Sequence, residues 1–125
     1  MANTPTMTHI RVGDAVVVEG PAGVSLLRSA GDINDVIGEC FGAHTTLALL
    51  YAENLPHAFF DVSSQQAGEI LQKLRNYGLR LAVVVAPGTA VSSRFHELQA
   101  AERRDGAFDV FDSRDAALAW LTSRE

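Results

Sequence analysis

Apolar residues along the chain follow two spacings, and the spacing changes wherever glycine, proline or a polar cap intervenes. Residues 9–19, HIRVGDAVVVE, predict two strands joined at Gly13-Asp14, because a Gly-first two-residue loop suits a type II′ hairpin turn. After Gly20-Pro21 a short VSLL stretch is a candidate extra strand. Ile33, Val36, Ile37, Cys40 and Phe41 then recur at helical spacing, which predicts a first helix with Asp32 as N-cap and Gly42 at its end. The near-continuous apolar run 46–52 suits a strand covered on both faces. Ala67, Ile70, Leu71, Leu74 and Tyr77 mark one stripe of a second helix, stopped by Gly78 before a strand at 80–86. Phe95 and Leu98 mark a third helix ending near Gly106. FDVF at 108–111 predicts a last strand, and Ser113 caps a fourth helix whose Ala117, Trp120 and Leu121 face inward. A hairpin followed by strands alternating with helices implies an α/β fold with a mixed sheet and right-handed parallel crossovers.

Length and composition narrow this picture. A chain of 125 residues can bury one real core, so one α/β domain over residues 8–125 is expected, after a disordered tail at 1–7. Its longest apolar runs, 47–52 and 81–86, are far too short to cross a bilayer, and the first residues carry no basic, apolar leader. A cytoplasmic location is therefore expected. The net charge of −5 and the absence of a basic cluster beyond Arg103-Arg104 argue against nucleic acid or an anionic membrane as partner. The lone cysteine, Cys40, falls on an apolar helix face and is expected to behave as a small buried hydrophobe.

Candidate chemistry concentrates in residues 53–71, ENLPHAFFDVSSQQAGEIL. Asp61, Ser63 and Ser64 stand just ahead of the second helix, where a side-chain oxygen can satisfy a free N–H of the first turn. They also lie beyond the carboxyl end of a predicted strand, the edge of an α/β sheet where ligands bind. A phosphate there would interact with the helix dipole or alter a contact surface. Glu53, Asn54, Phe59 and Phe60 join them as candidate partner-contact residues, since two adjacent aromatics cannot both enter one core. A second candidate is the loop and helix start around Gly88, Ser92, Ser93 and Arg94, where an anion could rest on helix N–H groups, although no nucleotide-binding motif is present. Glu53, His57 and Asp61 are four apart, but Pro56 breaks the helix that metal binding at this spacing would need, and no nucleophile elbow exposes a serine. No metal, cofactor or enzymatic activity is expected.

The stretch ENLP…FFD…AGEILQKLRNYGLRLAVV, residues 53–84, resembles a bacterial family known as the domain of unknown function numbered forty-one-eighty. More broadly, residues 46–121 are similar to the STAS domain of sulfate transporters and anti-sigma-factor antagonists: a strand, a D-S-S-like helix start, a helix, the strand LRLAVV, another helix and the closing FDVFDSRDAALAWL. This resemblance implies a STAS-like (SpoIIAA-like) fold with about four helices. It also implies regulation by protein–protein contact, with a serine at the helix start phosphorylated by a partner kinase that docks on the surrounding surface. The matching residues are Ser63 and Ser64, with Val62 standing between them and Asp61. The expected partner is thus a regulatory or kinase-like protein, or a second copy of the chain. A small-molecule (anion or nucleotide) binder or enzyme using the helix N-termini at Ser63-Ser64 and Ser92-Ser93-Arg94, or a structural homo-oligomer subunit, are the alternatives.

Overall fold

A computed structural model describes residues 7–21, 26–27, 32–55, 66–85 and 108–123. Strands β1 (Thr8–Val12) and β2 (Ala15–Glu19) form the expected hairpin. Gly13, with φ +62°, supplies the left-handed first turn position that a side chain would strain. Helix α1 (Ile33–Gly42) leads to β3 (Leu47–Tyr51), a short 3₁₀ turn (Ala52–Asn54) follows, and α2 (Gln66–Asn76) precedes β4 (Arg80–Val84). Strand β5 (Phe108–Phe111) and α3 (Arg114–Leu121) close the described chain. Among the described residues there are three α-helices. The helix expected around Phe95 and Leu98 lies outside them.

The sheet is mixed and runs in sequence order, β1-β2-β3-β4-β5. Only β1 is antiparallel to its neighbour; β2, β3, β4 and β5 are parallel. Because side chains alternate between faces, the sheet carries two apolar layers. On one face Val18, Ala48, Leu50, Leu81, Val83 and Phe108 pack with Ile33, Val36, Ile37 and Cys40 of α1 and Ile70, Leu71 and Leu74 of α2. On the other, Val17, Leu49 and Ala82 pack with Ala117 and Leu121 of α3. Residues Leu49, Leu50, Leu81 and Ala82 are fully buried on one face or the other, which is why those strands read as apolar runs rather than alternating patterns.

Helix ends confirm some sequence expectations and revise others. Gly78, at φ +69°, ends α2 in a Schellman motif: its N–H donates to the Arg75 carbonyl and the Leu79 N–H to the Leu74 carbonyl. Helix α1 ends in the same motif, with His44 N–H donating to Phe41 O and Thr45 N–H to Cys40 O. The left-handed position is therefore His44, at φ +59°, and not the expected Gly42, which is the last helical residue. His44→Gly is expected to raise stability by about 0.5 to 1 kcal/mol, since the left-handed strain of a side chain exceeds the extra freedom glycine adds to the unfolded chain; denaturant unfolding of the variant checks this. Asp32 does precede α1, but its backbone is already helical and its side chain makes no capping bond. Ser113 caps α3 as expected, its Oγ accepting from the Ala116 N–H at 3.2 Å. At the other end of α3, Arg80 donates to the Leu121 and Ser123 carbonyls and lies 4.2 Å from the centre of the Trp120 ring, fastening that helix end to β4.

Two aromatic positions depart from the expected inward stripes. Phe41 is 52% exposed and Tyr77 51% exposed. Tyr77 follows the last helical residue of α2, and Phe41 lies about 100° round the helix from buried Cys40, at the rim of the buried arc. Leu26 and Leu27, from the candidate extra strand, are not in a strand.

Candidate functional site

The parallel strands β2 to β5 end on one edge of the sheet, and there Glu19, Tyr51 and Arg114 come together. Glu19 ends β2 and pairs in register with Leu49, so it lies on the α3 face; Tyr51, two residues beyond Leu49, lies on the same face at the end of β3. Arg114, the first residue of α3, reaches across to them. Its Nε donates to Glu19 Oε2 at 2.8 Å and its Nη2 to Oε1 at 3.3 Å, a forked pairing, while the Tyr51 hydroxyl donates to Oε2. The Glu19 side chain is 12% exposed and that of Arg114 44% exposed.

The electrostatics follow from this geometry. Burial pushes the Glu19 carboxyl upward, but the hydrogen bonds from Arg114 and Tyr51 and the guanidinium charge outweigh it and hold the group below its ordinary value. Burial, together with the hydrogen bond and charge of Glu19, pushes the Tyr51 phenol up to about 12. Near neutral pH Glu19 is ionised and Tyr51 protonated, so the cluster is an ionic clasp tying the ends of β2 and β3 to the start of α3. Cys40 is unreactive: buried beneath α1, its thiol is pushed by burial and by Glu39 up to about 11.

A second polar knot lies beside the clasp. Asn54 is completely buried. Its Oδ1 accepts from the Tyr51 N–H at 2.7 Å, its Nδ2 donates to Pro21 O at 2.5 Å, and its carbonyl accepts from the Leu27 N–H at 2.7 Å. One side chain thus joins the end of β3 to the chain leaving β2. Gly20 makes room for it: a Cβ there would overlap Asn54 Oδ1 and come within 2.8 Å of Leu50 Cδ2.

Of the residues singled out from the sequence, the structure describes Glu53, which is exposed, and Asn54, whose amide is engaged inside the chain instead of at a surface. Asp61, Ser63, Ser64, Phe59, Phe60, Gly88, Ser92, Ser93 and Arg94 lie outside the described residues, as do His57 and Asp61 of the four-residue spacing. Among the described residues no three His, Cys, Asp or Glu side chains stand close enough together to hold a metal ion, and no helix is long and apolar enough to cross a membrane. The clasp itself escaped the sequence reading. Glu19 and Arg114 are 95 positions apart, so no local spacing links them.

On the opposite edge an open hollow of about 540 Å³ is lined by residues including Asp14, Phe41, His44 and Thr45. The Thr45 hydroxyl is already occupied there, donating to Val16 O and accepting from the Leu47 N–H.

The model of a protein family described as "Domain of unknown function (DUF4180)" matches residues 13–121. No curated protein and no solved structure matches the chain. Since the family match runs from the hairpin turn to the last residue of α3, taking in every described element after β1, the chain belongs to the DUF4180 family.

Proposed function

We propose that this chain is a STAS-like cytoplasmic regulatory domain that works by protein–protein contact through the surface formed by residues 53–66, with Ser63 or Ser64 as a phosphorylation switch. The sheet order supports the fold assignment: β3, α2, β4, β5 and α3 follow one another in the order of the STAS resemblance, and β3, β4 and β5 are parallel neighbours. The observation that carries the functional reading is the knot at Asn54. It fixes the point where the chain leaves β3 on the carboxyl edge, so the residues that follow begin from a rigid base while Glu53 faces solvent. The proton-locked state of Glu19 and Tyr51 favours contact over chemistry at this edge.

Mass spectrometry of the peptide spanning residues 53–73, on protein purified from its native host under several growth conditions, tests this reading. Phosphate on Ser63 or Ser64 that varies with condition is the expected result; a fully covered peptide that is never modified removes the switch and leaves helix capping as the use of these serines. A second reading, an anion-binding site shared by Ser63-Ser64 and Ser92-Ser93-Arg94, draws on one observation. Strands β3 and β4 are neighbours, with Tyr51 opposite Val84, so the two candidate segments leave adjacent strand ends.

A further inference from the structure

Phe41 and Tyr77 form an edge-to-face pair with ring centres 5.6 Å apart, yet each keeps half its surface in water. Both α1 and α2 follow parallel strands and lie on the same sheet face, so they run in the same direction and these rings sit side by side at one level. Among the described residues, the outward surface of these two helices is low at three glycines. Gly38 and Gly42 on α1 and Gly68 on α2 are exposed, and a Cβ at any of them would meet nothing within 4 Å. No contact among the described residues therefore requires glycine at these helical positions, where it weakens a helix. Helix α1 carries no base and two acids, Asp35 and Glu39, of which Glu39 is already paired with His9 of β1 at 2.9 Å; α2 carries Glu69 in its first turn and Lys73 and Arg75 in its last. Lys73 Nζ lies 3.5 Å from Asn34 Oδ1, which puts its ammonium level with Asp35.

A two-fold axis running along these helices lays α1 of one copy over α2 of another. Phe41 then falls on Tyr77 of the second copy and Tyr77 on its Phe41, while Asp35 faces Lys73 of the second copy. Each contact occurs twice, as an isologous interface requires. From the exposed aromatic pair and this charge complementarity we infer that the α1–α2 layer is a homodimer interface, separate from the carboxyl-edge surface of residues 53–66. Its fate does not depend on the serine switch.

Sedimentation equilibrium on the full chain tests the inference. The wild type is expected to dimerise. Phe41→Glu, a change at an exposed position whose fold can be verified by circular dichroism, is expected to weaken the dimer more than tenfold, a ratio of about 1.4 kcal/mol. Asp35→Lys and Lys73→Glu are each expected to weaken it, and the two together to restore it, because the swapped charges again face each other. A wild type that stays monomeric at all accessible concentrations overturns the inference. So does a dimer indifferent to Phe41→Glu, or a double swap no tighter than either single change.

Discussion

Asn54→Ala is expected to lower the unfolding free energy by about 3 kcal/mol, measurable as a fall in the midpoint of a denaturant titration. Two losses add. The Tyr51 N–H loses its acceptor and Pro21 O its donor, and a buried polar group left without a partner costs about 1 to 3 kcal/mol. The bonds to the Asn54 carbonyl survive, since they belong to the backbone. Asn54→Asp, nearly identical in shape, is expected to cost at least as much: it keeps the acceptor for Tyr51 but turns a carboxylate oxygen toward the Pro21 carbonyl and buries an unpaired charge. Gly20 supplies a coupled test. Gly20→Ala is expected to destabilise the wild type by roughly 1 to 3 kcal/mol through overpacking against Asn54 and Leu50. In the Asn54→Ala background its cost is expected to shrink by at least about 1 kcal/mol, because the oxygen it would overlap is gone. Costs that simply add would show that Gly20 and Asn54 act independently.

The second large effect is on pH dependence. Glu19→Gln is expected to lower stability at neutral pH by about 1.5 to 3 kcal/mol, the range for hydrogen bonds to a charged group, and toward its lower end because Arg114 is partly exposed. Glu19 holds its proton less tightly in the folded chain than in the unfolded one. Its contribution is therefore fully present above about pH 4.5 and disappears as the pH falls through the lower folded value. The wild type and Glu19→Gln stability curves are thus expected to converge in acid and to separate above it. Curves that stay parallel across that window would show that Glu19 is not the titrating group. Tyr51 gives the opposite limb: its raised folded value adds stability below about pH 10 that is lost as the pH rises through about 12. Removing the Glu19 charge is expected to bring the Tyr51 ultraviolet titration to lower pH.

The clasp and the knot show how the edge of this sheet is assembled. Four parallel strand ends must be held in register where the chain leaves them, and backbone ladders stop there. Glu19 and Asn54 continue the connection with side chains, one ionic and one neutral, between segments that no ladder joins. Within the clasp, Glu19 holds its proton less tightly than an ordinary carboxyl and Tyr51 holds its own more tightly than an ordinary phenol, so near neutral pH the pair stays one ion and one neutral hydroxyl.

By itself the sequence determined the described strands and α-helices and their order. The hairpin at Gly13-Asp14, the strand FDVF, the Ser113 cap and the Gly78 stop all follow from local rules, since a turn, a cap or an apolar period involves residues within a few positions of each other. The family resemblance across residues 53–84 was legible for the same reason, as a continuous string. The tertiary structure decided what depends on distance. Asn54 is an internal tie because β2 and β3 lie side by side, and Glu19 meets Arg114 because α3 folds back across the sheet. His44 takes the left-handed turn because the path into β3, pinned by Thr45 on Val16, begins two residues after Gly42. Phe41 and Tyr77 keep the spacing of core residues yet remain in water: periodicity gives the direction of a side chain round its helix, but not whether anything covers that helix at its end.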